Sequence, residues 1–308
     1  MLQYLIILLD DTSTSFCHYE ITKTVRRLMP IETLRQGIRF GMMENLMIQF
    51  VYPDYELPEE YAEVIESIDH SKIKPTKEDA DVWVVNGIKN VKSDVPVVWR
   101  TDKQTLFGSE DEIVKALENV PRLNVVLTDI ETFTDEDFTL YKAFLERLYG
   151  KIEQMYVEGK APQLNLLTDR MMLSQMNNCG AGDMNITLAP NGKFYVCPAF
   201  YYEDETDSIG DLKHGLDIKN KQLYKLEYAP ICRHCDAYQC KRCIWLNRKT
   251  TLEVNTPSHE QCVVAHLERN ASRELLQNVR KHGIFLPEQG EIKEIDYLDP
   301  FDKRDEWQ

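Results

Sequence analysis

The sequence predicts a mixed α/β protein whose parallel sheet is open or curled into part of a (β/α) barrel, followed by a cysteine-rich domain with a β-hairpin and a C-terminal helix. Up to about residue 170, continuous Val/Ile/Leu runs alternate with amphipathic helical patterns, as in parallel strands covered on both faces. Beyond that point, seven of the eight cysteines fall between Cys179 and Cys262. We therefore predict a first domain over residues 1–170, a second over 171–284, and an acidic tail over 285–308.

The candidate strands of the first domain share a short apolar core. They are Leu5–Leu9, Leu46–Val51, Val82–Val85, Val97–Trp99, Asn124–Leu127 and Leu164–Leu167. Because most of these runs lack polar/apolar alternation, both faces of each strand are expected to be buried by helices. Repeated strand–helix units of this kind connect neighbouring parallel strands.

Three helices between the strands have recognisable starts. Pro30 suits the first turn of one helix, and Ser109 with Glu112 has the spacing of a capping box at the start of another. Thr134 precedes a third segment, whose apolar residues recur at helical spacing. Each stripe is expected to face the core.

The second domain begins with a predicted hairpin and ends with a predicted helix. The segment NITLAPNGKFYVCPAFYY (185–202) contains two alternating runs that are joined at Pro190, Asn191 and Gly192. The last helix has Ser258 as its N-cap and Gln261 at its third position. Cys262 then falls in the first turn, where the helix dipole favours a thiolate.

Composition restricts the possible partners and compartment. The net charge of −15 argues against non-specific binding to nucleic acid or to an anionic membrane. The opening MLQYLIILLDD lacks a basic segment before its apolar run, and no stretch approaches the length of a membrane span. We therefore predict a cytoplasmic protein that binds neither nucleic acid nor membrane, in a compartment that keeps thiols reduced.

Eight cysteines in a reducing compartment predict metal binding or catalysis rather than disulfides. The cysteines of the second domain, with one glycine, follow the order Cys179-x12-Gly192-x4-Cys197, Cys232-x2-Cys235-x4-Cys240-x2-Cys243 and Cys262. Zinc ribbons usually place about 15–20 residues between their two cysteine pairs. Only four residues separate Cys235 from Cys240, so the spacing favours iron–sulfur ligation, with zinc as the alternative.

This cysteine pattern resembles the SPASM domain, the C-terminal module of radical-SAM enzymes that mature peptides and sulfatases. Cys179, Gly192 and Cys197 match the first part of the family motif, and Cys232 and Cys235 match the start of the second part. The next two spacings are each one residue shorter than in the family, and the last cysteine takes the final position. The resemblance covers about a third of the chain.

The resemblance implies two auxiliary [4Fe–4S] clusters. The ligands of one cluster would be Cys232, Cys235, Cys240 and Cys262. The ligands of the other would be Cys179, Cys197 and Cys243, which leaves that cluster one cysteine short. Its fourth iron is then open, or takes a non-cysteine ligand or a substrate thiolate.

The first domain resembles the radical-SAM partial barrel without its catalytic signature. That family places Cys-x3-Cys-x2-Cys in the loop after the first strand, where this chain has DDTSTSFCHYE. If Cys17 is aligned with the middle cysteine, its partners are Ser13 and Glu20. The glycine-rich motif expected after the second strand is replaced by VYPDYELP. We therefore expect no cluster that cleaves S-adenosylmethionine and no radical initiation by this chain.

The sequence assigns no catalytic residue to the first domain, and Cys17 is a weak candidate, because a lone cysteine is more often an inert buried thiol. His18 and Glu20 lie close enough in sequence to activate its thiol, whereas an inert buried thiol is the alternative. Asp10 and Asp11 end a strand at the position where α/β proteins bind ligands. Helix capping or solvation explains these two carboxylates equally well.

The combination of a degenerate radical-SAM half and a SPASM half, opening LLDDTSTSFCHYE, resembles the CXXX repeat peptide maturases. The resemblance implies a ribosomally made, cysteine-rich precursor peptide as the substrate, and it leaves room for a partner modifying enzyme. Two alternatives remain open at this point. One is a zinc- or cluster-stapled module that binds or escorts a peptide without catalysis, and the other is an electron-transfer partner of a separate enzyme.

Overall fold

The structure, a computed structural model, describes residues 2–292. Residues 293–308, which make up most of the predicted acidic tail, lie outside the described part. The strands are β1 (Tyr4–Leu8), β2 (Met47–Val51), β3 (His70–Lys74), β4 (Val82–Val85), β5 (Val97–Thr101), β6 (Leu123–Leu127), β7 (Asn185–Leu188), β8 (Phe194–Tyr195), β9 (Gly210–Asp211) and β10 (Gly215–Leu216). The helices are α1 (Ile31–Met43), α2 (Glu59–Ile65), α3 (Lys103–Leu106), α4 (Glu110–Leu117), α5 (Asp135–Val157), α6 (Thr168–Met172), α7 (Pro198–Glu203), α8 (Ile244–Thr251) and α9 (His259–Lys281).

The chain forms two compact units, each assembled from separate segments. The first unit comprises residues 2–86, 95–100 and 179–233. The second comprises residues 87–94, 101–178 and 234–292. The domain boundaries expected after residues 170 and 284 are based on changes in the sequence pattern and stay a prediction.

Seven strands of the first unit lie in one sheet, in the order β5-β4-β3-β2-β1-β7-β8, and β9 and β10 form a separate antiparallel pair. β1 pairs in parallel with both β2 and β7, and β8 runs antiparallel to β7 as the second arm of the predicted hairpin. Leu5, Ile7 and Leu8 of β1 are completely buried. This burial explains the continuous apolar run, because helices and loops cover both faces of a central parallel strand. The predicted fold class is confirmed.

The second unit contains two long helices, α5 and α9, that pack against each other. The side chain of Thr134 accepts the N–H of Asp137 at the start of α5, and the Asp137 carboxylate completes a capping box. At the start of α9, Ser258 Oγ accepts the N–H of Gln261 at 3.2 Å, as predicted. None of the helices between residues 2 and 292 is long and apolar enough to cross a membrane.

Two local predictions are wrong. The segment expected to form a strand at Leu164–Leu167 makes one β-bridge, between Leu164 and Leu123, and then turns into α6. The Thr168 hydroxyl closes that turn by bonding both the N–H and the carbonyl oxygen of Leu164, a side-chain alternative to strand pairing. Ser109 precedes α4 but forms no capping box, because its hydroxyl donates to the carbonyl oxygen of Leu106 at 2.7 Å.

Strand β3 was missed by the sequence analysis because its residues, HSKIK, are mostly polar. Lys72 at its centre is nevertheless buried. Its ammonium group forms ion pairs with Glu66 and with Asp79, the latter at 2.6 Å. A charged side chain can occupy such a buried position when it is paired in this way.

Candidate metal centre and the loop after the first strand

The loop that follows β1 contains two buried carboxylates at the end of the strand. Asp10 is 0% exposed and Asp11 is 5% exposed. The Tyr55 hydroxyl donates to Asp10 Oδ2 at 2.8 Å. Arg27 Nε lies 2.8 Å from Asp11 Oδ2, and the Tyr201 hydroxyl donates to Asp11 Oδ1. Both carboxylates therefore have side-chain partners within the protein. These contacts join the loop to other parts of the first unit.

Ser13, Cys17 and Glu20, the three positions compared above with a cysteine motif, make further contacts. The buried Ser13 hydroxyl donates to the carbonyl oxygen of Val51 at 2.8 Å. Arg100 Nη2 donates to the Glu20 carboxylate at 2.6 Å, and Arg100 Nε donates to the carbonyl oxygen of Cys17 at 3.0 Å. An iron–sulfur cluster is held by thiolates. A serine, a cysteine and a glutamate in these contacts do not fit such a cluster.

Tyr19 connects this loop to α7. Its ring stacks on Tyr202 with the centroids 5.4 Å apart, and Thr22 Oγ1 donates to the carbonyl oxygen of Tyr202 at 2.6 Å. Burial raises the pKa of Tyr19 well above its ordinary value, and the nearby Tyr202, Cys17 and Cys197 raise it further. The loop therefore brings Cys17 into the surroundings of Cys197, the N-cap residue of α7.

In the second unit, the segment 234–243 contains three of the predicted ligands and is called the cysteine loop here. The N–H of Ala237 donates to Cys235 Sγ at 3.4 Å, and the N–H of Arg242 donates to Cys240 Sγ at 3.4 Å. In both cases the donor lies two residues after the cysteine. Hydrogen bonds to a sulfur atom stabilise its thiolate form. The side chains of Cys235 and Cys240 are therefore suited to be soft sulfur ligands of an iron–sulfur cluster or of zinc.

His266 on α9 is a functional candidate that the sequence analysis missed. Its Nε2 atom lies 3.4 Å from Cys235 Sγ. It follows Cys262 by four residues on the same helix, so the two side chains lie on one face. The Cys-x3-His spacing in a segment predicted to be helical is the signal that could have identified it.

The side chains of Asp236 and Gln239 hold the cysteine loop on α9. Arg269 donates to Asp236 Oδ2 from both Nε, at 3.0 Å, and Nη2, at 2.6 Å. The Arg269 side chain is 1% exposed and that of Asp236 is 26% exposed, so this ion pair is partly removed from water. Gln239 Nε2 donates to the carbonyl oxygen of Ala265 at 2.7 Å. The loop is therefore fixed on both sides of the helix position occupied by His266.

Glu268 lies beside the same loop. Its carboxylate accepts the Tyr141 hydroxyl at 2.8 Å and Gln239 Nε2 at 3.4 Å. Burial raises the pKa of Glu268 to about 7, although the hydrogen bonds from Tyr141 and Gln239 act in the opposite direction. This glutamate therefore titrates near neutral pH.

The remaining predicted ligands differ in exposure. Cys179 is exposed, Cys232 is buried, and Cys197, Cys243 and Cys262 are partly buried. Across residues 2–292, no group of three or more His, Cys, Asp or Glu side chains is arranged to hold a metal ion. The two ligand sets therefore stay predictions. The structure adds the N–H···S bonds in the cysteine loop and the contact with His266.

No protein-family model and no curated protein matches this chain. Among solved structures, it is similar to anSMEcpe with bound AdoMet and a Cp18Cys peptide, at 12% identity and a TM-score of 0.62 over 90% of this chain and 99% of that one. It is also similar to SuiB of Streptococcus suis bound to the precursor peptide SuiA, at 11% identity and a TM-score of 0.52 over 83% of this chain and 75% of that one. At these identities the likeness establishes the fold: this chain is folded like two proteins that were crystallised with peptides.

Proposed function

We propose that this protein takes part in the maturation of a ribosomally made, cysteine-containing peptide of the CXXX repeat type. It would bind the precursor peptide, and its C-terminal cysteines would bind metal. The observation that supports this best is the similarity, over 90% of the chain, to a structure containing both AdoMet and a peptide. The SPASM-like cysteine pattern within the same chain gives independent support.

The proposed metal groups are two [4Fe–4S] clusters, with zinc as the alternative. One would be held by Cys232, Cys235, Cys240 and Cys262, and the other by Cys179, Cys197 and Cys243. A bound cluster would supply one-electron chemistry or an iron able to bind a substrate thiolate, whereas zinc would act as a structural crosslink. The contribution of the chain is a set of soft donors, two of them already hydrogen-bonded by backbone N–H groups.

The proposal does not include cleavage of S-adenosylmethionine by this chain. The loop after β1 supplies Ser13, Cys17 and Glu20 where the related family has three cysteines, and two of these side chains bind other parts of the first unit. A separate modifying enzyme would then provide the radical. The same loop favours a second candidate, in which the protein presents or escorts the peptide, or transfers electrons, without catalysis of its own.

The decisive experiment starts from anaerobic purification and measures iron, acid-labile sulfide and zinc. Synthetic peptide with cysteines at every fourth position is then added, with a serine-substituted peptide as the control. We expect iron and sulfide in the protein, tight binding of the cysteine peptide alone, and no release of deoxyadenosine from S-adenosylmethionine. Absence of both iron and zinc would overturn the metal assignment, and equal binding of the two peptides would overturn the substrate assignment.

A further inference from the structure

α9 and the cysteine loop are in contact through a histidine that does not belong to either predicted ligand set. His266 Nε2 lies 3.4 Å from Cys235 Sγ, a distance within the range of a hydrogen bond to sulfur. Cys235 Sγ also accepts the N–H of Ala237 at 3.4 Å. Two nitrogen atoms, one from the backbone and one from a side chain, therefore lie within reach of the same sulfur atom.

The direction of the hydrogen bond between His266 and Cys235 depends on whether the sulfur is protonated. A thiol can donate to an imidazole nitrogen, but a metal-bound thiolate has no proton and can only accept. If Cys235 is a ligand, Nε2 must therefore be the protonated nitrogen of His266. Both bonds to the sulfur would then neutralise part of its negative charge.

The surroundings of His266 fix its position relative to this sulfur. Arg269, three residues further along α9, binds Asp236, which directly follows Cys235. Ala265, directly before His266, accepts a hydrogen bond from Gln239 of the same loop. These contacts lie on both sides of the histidine in the sequence of α9. They therefore keep the imidazole close to the cysteine loop independently of its hydrogen bond to Cys235.

We propose that His266 is a positioning residue of the metal centre and donates a hydrogen bond from Nε2 to the Cys235 thiolate. This inference rests on the proposed function, since it requires Cys235 to bind metal. Such a donor orients the ligand and lowers the electron density on the sulfur. A hydrogen bond to a cluster sulfur also raises the reduction potential of an iron–sulfur centre.

The test compares His266→Gln, which keeps an N–H donor, with His266→Phe, which keeps an aromatic ring but removes the donor. His282→Phe is the control, because His282 lies at the end of α9 and pairs with Glu153 at 2.8 Å. Metal affinity is measured anaerobically by competition with a chelator, and the reduction potential is measured if iron is present. We expect His266→Phe to lower metal affinity by about tenfold or more and to lower the potential, with His266→Gln and His282→Phe close to the wild type.

Several results would overturn this role. Unchanged affinity and potential in a folded, metal-loaded His266→Phe protein would refute the hydrogen bond, while leaving the proposed function intact. Equal losses in His266→Gln and His266→Phe would refute donation from Nε2, because glutamine keeps an N–H donor. If His266→Phe does not fold, His266→Leu provides the same comparison with His266→Gln. A wild-type protein that binds no metal would refute the proposed function and this role together.

Discussion

The loop after β1 and the cysteine loop both contain side chains that could bind a metal or act in catalysis. The two loops differ in which atoms of these side chains form hydrogen bonds and in which groups bond them. In the loop after β1, the Ser13 hydroxyl donates to the carbonyl oxygen of Val51, and one carboxylate oxygen of Glu20 accepts a hydrogen bond from Arg100. In the cysteine loop, backbone N–H groups bind the sulfur atoms themselves, while Asp236 and Gln239 make the contacts that hold the loop in place.

This difference suggests how a binding site can be distinguished from a structural network in related folds. A ligand atom that serves the fold is bonded by neutral or oppositely charged groups of the chain. A ligand atom that serves a metal is prepared by weak N–H bonds that stabilise its charge and leave lone pairs available. By this criterion, chemistry in this protein is expected at the cysteine loop, and the loop after β1 is expected to contribute stability.

The largest effect is expected from replacing a sulfur of the cysteine loop. Cys240→Ser should lower bound metal at least about tenfold, because a hydroxyl group is a poor ligand for soft metals and metal binding supports folding. Cys17→Ser, the matched change in the loop after β1, should keep most of the metal. Metal content after anaerobic purification is the measurement, and equal losses in the two variants would remove the distinction between the loops.

The next effect concerns the ion pair that fastens the cysteine loop to α9. Arg269→Met leaves the Asp236 carboxylate without its main partner. We expect the free energy of unfolding to fall by about 2–3 kcal/mol, less than for a fully buried pair because Asp236 keeps some contact with water. Urea unfolding provides the measurement.

Lys249→Met is the control for this prediction. Lys249 also forms an ion pair, with Glu131, but its side chain is 43% exposed. A change of at most about 1 kcal/mol is expected there. A loss as large as that of Arg269→Met would show that burial does not account for the strength of the Asp236 contact.

The contrast between the loops was only partly predictable from sequence. Continuous apolar runs identified β1 because burial on both faces leaves a local signature. The ion pairs of Lys72 join β3 to nearby residues outside the strand, which an apolar pattern does not indicate. The contact of His266 with Cys235 joins residues that are distant in sequence. The spacing of the cysteines indicated metal, but it contained no information on which nitrogen atoms would surround them. Asp10 and Asp11 were recognised as candidates, whereas their partners Tyr55 and Tyr201 could not be inferred from local pattern.

A pH-dependent effect is expected in the neighbourhood of the cysteine loop. Burial raises the pKa of Glu268 from its ordinary 4.5 to about 7, so the folded protein binds this proton more tightly than the unfolded chain does. Stability from this group is therefore present below pH 4.5 and is lost as the pH rises towards 7. Glu268→Gln should remove this loss and raise stability at pH 8 by about 1–2 kcal/mol relative to the wild type.

Urea unfolding of both proteins at pH 5 and pH 8 measures this difference. Glu253→Gln, which changes an exposed carboxylate of the same unit, is the control and should alter the two stabilities equally. A wild-type protein whose stability relative to Glu268→Gln is the same at both pH values would contradict the assignment.

The smallest effect is expected in the loop after β1, where it tests the structural role directly. Asp11→Asn removes the charge that faces Arg27, but the Arg27 side chain is 47% exposed, so water compensates for much of the lost pair. We expect the free energy of unfolding to fall by about 1 kcal/mol, with metal content and peptide binding unchanged. Tyr201→Phe, which removes the other donor to Asp11, should have an effect of similar size. If either variant lost metal or peptide binding while remaining folded, the buried carboxylates would belong to the functional site, because a purely structural network can change binding only by weakening the fold.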